Sequence, residues 1–190
     1  GKSFSQLLQD NIVKPLNLKN TGFADNDYVE NHVAKGYTFK EGGFFESLFF
    51  DIKGEYKESG FRHQSTAYAT GGMHSTVDDL YLWTQGIKQN KILSKAMTDK
   101  MLTPNLGGYA YGWFINHERM IRFNPSIQLI SHGGSLDGYS SNVAMYKDGT
   151  TVIYLANVIP VGNIRLTMNM HLAAQGIEVD EFVRDLIRPS

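Results

Sequence analysis

A chain of 190 residues can bury roughly 70% of its unfolded surface in one core. Its 42% hydrophobic, 12% aromatic and 19% charged residues exclude both a disordered and a membrane-embedded composition. A formal net charge of -1, with lysines and arginines dispersed along the chain, argues against nucleic acid as a partner. The absence of cysteine excludes disulfides, thiol nucleophiles and cysteine-bound zinc, and leaves both redox compartments open.

No apolar run reaches the length of a membrane span, and Gly1-Lys2-Ser3 is neither an initiator methionine nor a signal peptide, so the N-terminus reads as cut. From Ser3 to Val13, the residues Phe4, Leu7, Leu8 and Ile12 recur at helical spacing. Ser3 and Gln6 stand as a capping box, and Pro15 is expected to stop the helix. Pro15-Leu16-Asn17-Leu18 and Asn20-Thr21-Gly22-Phe23 read as a structural turn that anchors apolar side chains beneath a loop. Gly36 to Gly60, with Phe44-Phe45 and Phe49-Phe50, shows no sustained period and reads as a long loop.

Within Gly71-Gly72-Met73-His74-Ser75-Thr76-Val77-Asp78-Asp79-Leu80, either Ser75 or Thr76 can cap a helix. Asp78 or Asp79 suits its positive first turn, and the helix continues through Trp83 and Ile87. A second helix is expected from Ser94, with Ala96, Met97 and Met101 on its apolar side and Pro104 just beyond. From residue 109 the texture turns to β. Tyr109 to Asn116, Ile127 to His132, Tyr139 to Tyr146 and Thr151 to Asn157 are rich in aromatic and β-branched residues, and Lys147-Asp148-Gly149-Thr150 supplies a hairpin turn. Helical spacing returns through Ile164, Met168 and Leu172, then through Val179, Phe182, Val183 and Ile187.

The chain contains no Ser-x-x-Lys, Gly-x-Ser-x-Gly, Tyr-x-Asn or His-Glu-x-x-His. Gly1-Lys2-Ser3 lacks the upstream glycine of a phosphate-binding loop, and the capping box accounts for its serine. His32, His63, His74, His117, His132 and His171 match no metal-ligand spacing, so neither metal nor other cofactor is expected. The informative stretch is Ile130-Ser131-His132-Gly133-Gly134-Ser135-Leu136-Asp137-Gly138-Tyr139, where an apolar strand ends in an imidazole and two glycines. Taken alone it is equally a glycine-rich hairpin with an incidental histidine. A local Ser135, His132, Asp137 triad is disfavoured, because groups so close at a strand turn rarely converge with hydrogen-bonding geometry.

The landmarks run in a characteristic order: Pro15-Leu16-Asn17-Leu18 to Thr21-Gly22-Phe23, Ala34-Lys35-Gly36-Tyr37, Gly71 to Leu80, Tyr111-Gly112-Trp113, His132-Gly133-Gly134 and Leu155-Ala156-Asn157. In that order the chain resembles the C-terminal portion of the serine β-lactamases and penicillin-binding-protein-like hydrolases, class C-type, with His-x-Gly as the third motif. The resemblance implies that Ser-x-x-Lys and Tyr-x-Asn, which supply the acylated serine and a proton-transfer tyrosine, lie upstream. Ser140-Ser141-Asn142 spells the Ser-x-Asn form of the second motif but follows the third, and reads as coincidence.

By the same resemblance His132 takes the place of the family's lysine, with an electrostatic rather than nucleophilic role. Gly134 and Ser135 complete the catalytic wall, with the Ser135 N–H as one of two oxyanion donors. Gly133 and Tyr139 are expected to bind substrate, and the aromatic loop from Gly36 to Gly60 to lie near the cleft mouth or simply to pack on the surface.

The implied fold is α/β: an incomplete β-lactamase/transpeptidase-like domain, mainly helix and loop over residues 1–104, then antiparallel sheet with packed helices over 105–190. Thr151 to Leu155 is then an apolar edge strand, a template for homodimerisation or strand exchange. The implied activity is a serine hydrolase working through an acyl-enzyme on an amide or ester: a β-lactam, a D-amino-acid peptide or an ester. The histidine in the third motif tilts the small-molecule or peptide substrate away from penicillins, and this chain alone is expected to be inactive. The alternative is a non-catalytic binding or interaction module of the same fold. The sequence itself fixes no compartment; the resemblance points to a periplasmic or extracellular one.

Overall fold

A computed structural model describes residues 1–23, 32–39, 56–59, 64–116, 128–159 and 163–177. In chain order the elements are α1 (Phe4–Leu8), a π-helical turn (Gln9–Val13), α2 (Lys14–Leu16), β1 (Gly22–Phe23), β2 (Tyr37–Phe39), β3 (Tyr56–Glu58), α3 (Gln64–Gly71), β4 (Met73–His74), α4 (Val77–Lys88) and α5 (Lys95–Met101). There follow β5 (Phe114–Ile115), β6 (Leu129–Leu136), β7 (Tyr139–Tyr146), β8 (Thr151–Ala156), β9 (Val158–Ile159) and α6 (Asn163–Ala174). The chain divides into two compact units, residues 1–34 with 61–132, and residues 35–60 with 133–190. Phe44-Phe45, Phe49-Phe50 and the stretch from Val179 to Ile187 lie outside the described residues.

In the first unit the capping box forms as expected: Gln6 N–H donates to Ser3 Oγ at 3.2 Å, and Ser3 N–H donates to Gln6 Oε1 at 3.1 Å. Pro15, however, does not stop the helix. The chain widens into the π-helical turn just before Pro15 and continues through Leu16. The stop is Asn17, in the left-handed region at φ 56°. Asn17 N–H donates to Lys14 O and Leu18 N–H to Val13 O, the paired bonds of a Schellman ending. Leu8, Val13 and Leu18 are buried, with Ile12, Leu16, Phe23 and Trp83 packed against them.

Helix α4 begins at Thr76, whose hydroxyl accepts from Asp79 N–H, and α5 begins at Ser94, whose hydroxyl accepts from Met97 N–H. Both starts match the sequence expectation. The buried face of α5 does not: Thr98 is its buried residue, whereas Ala96 and Met97 are exposed. Trp83 of α4 stacks on the buried Trp113, ring centroids 5.4 Å apart and planes 22° from parallel.

In the second unit β7 and β8 form a hairpin paired from Ser140↔Ala156 to Met145↔Thr151. Its turn is the expected Lys147-Asp148-Gly149-Thr150, with Gly149 at φ 98° and Tyr146 N–H donating to Thr150 O at 2.8 Å. Helix α6 packs on this hairpin: Asn142 Nδ2 donates to Thr167 Oγ1 at 2.6 Å, and the imidazole of His171 tilts against the ring of Tyr146 at 3.6 Å. Where the sequence suggested only loop, β2 pairs antiparallel with β3 and parallel with β9, Tyr37 opposite Glu58 and Val158. In this unit β8 lies at a sheet edge among the described residues.

Candidate active site

The residues expected to carry chemistry lie on β6 and at its far end. The sequence suggested that this strand stops at His132. It instead continues through Gly133, Gly134 and Ser135 to Leu136, because the reversal is made by Asp137-Gly138, both at positive φ (48° and 85°). Two left-handed residues in succession suit the tight turns that match strand twist, so the glycines upstream remain free to be strand.

That turn is seated rather than free. Ser59 Oγ donates to Asp137 O at 2.6 Å, and Tyr37 N–H donates to Gly138 O at 3.3 Å. A Cβ on Gly138 would lie 2.6 Å from the backbone of Gly36 and Tyr37, and one on Gly36 would lie 2.5 Å from Asp137 O. Glycine at both positions is what lets the two backbones touch.

A two-residue turn at 137 and 138 sets Leu136 opposite Tyr139, Ser135 opposite Ser140 and Gly134 opposite Ser141. The Ser141 hydroxyl, 3.3 Å from where a Cβ on Gly134 would stand, agrees with that register. Alternate residues of an antiparallel ladder turn their N–H away from the partner strand, and in this register Ser135 is one of them. On that far side of β6 the described β5 pairs only with Ser131 and Ile130. Side chains alternate as well, which puts His132, Gly134 and Leu136 on one face of β6 and Gly133 and Ser135 on the other.

His132 is exposed, and its Nε2 lies 3.1 Å from the hydroxyl of Tyr109. Its ring stacks on Phe114 at 5.8 Å, and Phe114 meets Tyr109 edge-on at 4.7 Å. The sequence does not tie Tyr109 to the site, since 23 residues separate it from His132. The only local signal is its place beside Gly107-Gly108, just before Tyr111-Gly112-Trp113.

Tyr139 is 36% exposed and is committed elsewhere. Burial raises its phenol pKa, with the Asp137 and Glu58 carboxylates adding to the rise, against a backbone hydrogen bond from Gly36 that lowers it. Its hydroxyl therefore serves the packing around Gly36. Among the described residues no cluster of three or more His, Asp or Glu side chains could hold a metal ion, and no helix is long and apolar enough to cross a membrane.

This strand-borne His-Gly-Gly segment, on a mixed α/β scaffold, is accompanied by likeness along most of the chain. The Beta-lactamase family model matches residues 1–175, and the chain belongs to that family of serine hydrolases. Protein flp of Staphylococcus aureus (strain MW2) is 26% identical over 166 residues, which cover 83% of this chain and 29% of flp. The octameric penicillin-binding protein homologue from Pyrococcus abyssi superposes with a TM-score of 0.70 at 23% identity, covering 94% of this chain and 39% of that one. The D-amino acid amidase from Ochrobactrum anthropi SV3 superposes with a TM-score of 0.65 at 19% identity, covering 93% and 51%. The fold is thus β-lactamase/transpeptidase-like, and the chain spans less than a third of the length of flp.

Proposed function

We propose that this chain forms the third-motif wall of a serine hydrolase that works through an acyl-enzyme on an amide or ester, with a β-lactam, a D-amino-acid peptide or an ester as substrate. The observation that carries the reading is the geometry of β6. His132 and the bare Gly134 share one face, while the register turns the Ser135 N–H toward the side of the strand away from β7.

In this reading Ser135 N–H is a preorganised oxyanion donor, and its backbone approaches the substrate because Gly133 and Gly134 carry no side chains. His132 is an electrostatic and hydrogen-bonding group, and Tyr139 borders the substrate while holding Gly36. The family resemblance places the nucleophile in a Ser-x-x-Lys motif that these 190 residues do not contain, so the chain alone turns over no substrate. A fold neighbour that is a D-amino acid amidase, together with histidine in the third motif, favours a peptide or amide over a penicillin.

The test is made in the full-length gene product. Ser135→Pro removes one N–H at a strand edge, where proline is tolerated, and is expected to lower the acylation rate about a hundredfold to a thousandfold. His132→Gln is expected to lower it by roughly a hundredfold. Acylation unchanged in both variants would contradict this role for β6. Failure of the unsubstituted product to acylate at all would favour a non-catalytic binding module of the same fold.

A further inference from the structure

Tyr109 is delivered to His132 by a device of its own. Gly107 and Gly108 both have positive φ (59° and 76°), and Tyr109 N–H donates to Leu106 O at 3.0 Å across them. The turn is fastened on both sides: Asn105 N–H donates to Tyr109 O at 2.9 Å, and Ile115 N–H donates to Gly108 O at 2.8 Å. Tyr109 also bridges to Phe114, whose ring stacks on the imidazole while its neighbour Ile115 pairs with Ile130. Three rings thus close on one another, with 4.7 Å, 5.8 Å and 5.9 Å between centroids. The imidazole plane is held by Phe114, and its Nε2 is met by a hydroxyl at 3.1 Å.

We propose that Tyr109 is a positioning residue that fixes His132 in the tautomer with the proton on Nδ1, so that His132 meets substrate as a hydrogen-bond donor and not as a base. The proposal rests on the reading of His132 as a group of the cleft wall.

A neutral imidazole has one N–H and one lone pair, and the tautomer follows from the hydrogen bond made by either nitrogen. A phenol is the stronger donor and the weaker acceptor of the two groups, so the favoured pairing has Tyr109 O–H donating to the Nε2 lone pair. The ring proton then resides on Nδ1. Among the described residues Nδ1 has no hydrogen-bond partner, and His132 is exposed. The donor is therefore available to an oxygen acceptor, such as a carbonyl or carboxylate of the substrate, while the ring's only lone pair is covered by the phenol. A lysine at this position would offer the same donor with a full charge; the Tyr109–His132 pair offers a neutral and directional one.

The experiment is a long-range proton–nitrogen correlation spectrum of the nitrogen-15-labelled chain near pH 8, with the His132 signals assigned through His132→Gln. The expected spectrum has Nδ1 protonated and Nε2 bare. Tyr109→Phe is expected to move the tautomer ratio toward Nε2–H by roughly fivefold or more, the worth of one net hydrogen bond. Phe114→Leu, which keeps the phenol, is expected to leave the tautomer in place. A protonated Nε2 in the unsubstituted chain overturns the proposal, as does a ratio unchanged by Tyr109→Phe in a chain whose other histidine signals are unmoved. Should Tyr109→Phe fail to fold, the tautomer of the unsubstituted chain decides alone. The readout needs no turnover, so its failure is distinct from failure of the hydrolase reading, which acylation of the full-length product measures.

Discussion

Asp79 is 3% exposed, yet it carries a carboxylate, and three groups account for it. Lys19 N–H and Asn20 N–H donate to it at 3.2 Å and 2.6 Å, and Thr21 Oγ1 donates at 2.8 Å. Burial pushes the Asp79 pKa up, but these hydrogen bonds and the Lys19 charge outweigh it, and the net direction is down. A depressed carboxyl value contributes stability above the unfolded value, which is lost as pH falls through the folded one. Asp79→Asn keeps the shape but replaces one acceptor oxygen by a donor facing donors; it is expected to destabilise the chain by about 1–3 kcal/mol in urea unfolding. The opposite case is His171, whose Nε2 lies 3.0 Å from Asp148 Oδ2. Burial lowers its pKa and the Asp148 charge only partly restores it. Both forms of the chain are neutral there above the unfolded histidine value, so stability is full at that end and falls as acid protonates the unfolded chain first. The urea midpoint is expected to drop as the pH falls through the unfolded histidine value of about 6.5, and His171→Gln to flatten the drop. His74, whose pKa burial also lowers, adds to the drop. A drop unchanged by His171→Gln would contradict the assignment.

At the scale of elements, the hairpin turn at the end of β6 is set by backbone contact. Gly138→Ala places a Cβ 2.6 Å from the Gly36 and Tyr37 backbone at φ 85°, and is expected to cost roughly 2 kcal/mol or more. An unchanged unfolding midpoint would mean that the turn is not seated on Gly36. Helix starts were readable from the sequence because a cap is local: Ser3 with Gln6, Thr76 with Asp79 and Ser94 with Met97 each lie within one turn. Strand ends were not. Glycine at 133 and 134 reads as a breaker, but the pairing partner carries β6 past both. β2 was hidden because its parallel partner, β9, lies more than a hundred residues away along the chain. The same distance effect governs the site. His132-Gly133-Gly134 stands in the sequence as a contiguous motif, whereas Tyr109 joins it only through the turn at Gly107-Gly108. On α5, helical periodicity puts Met97 inward, yet it lies 50% exposed, because Thr98 takes the buried position.

For the whole molecule, the edge at β8 bears on association. Its residues Val152, Ile153 and Tyr154 are buried, Leu155 is 42% exposed, and no strand pairs beyond it among the described residues. An open apolar edge is a template for a second chain, so dimerisation or strand exchange is expected to rise with concentration in light scattering, and Leu155→Lys to suppress it. A monomer over a wide concentration range would remove that expectation. In the proposed reading these residues supply a catalytic wall without its nucleophile. The most direct test is exposure of the chain, and of the full-length gene product, to a fluorophosphonate and a fluorescent penicillin, followed by intact-mass measurement. An adduct is expected on the full-length product and none on residues 1–190 alone; a stoichiometric adduct on the isolated chain would show a nucleophile within it and overturn that reading.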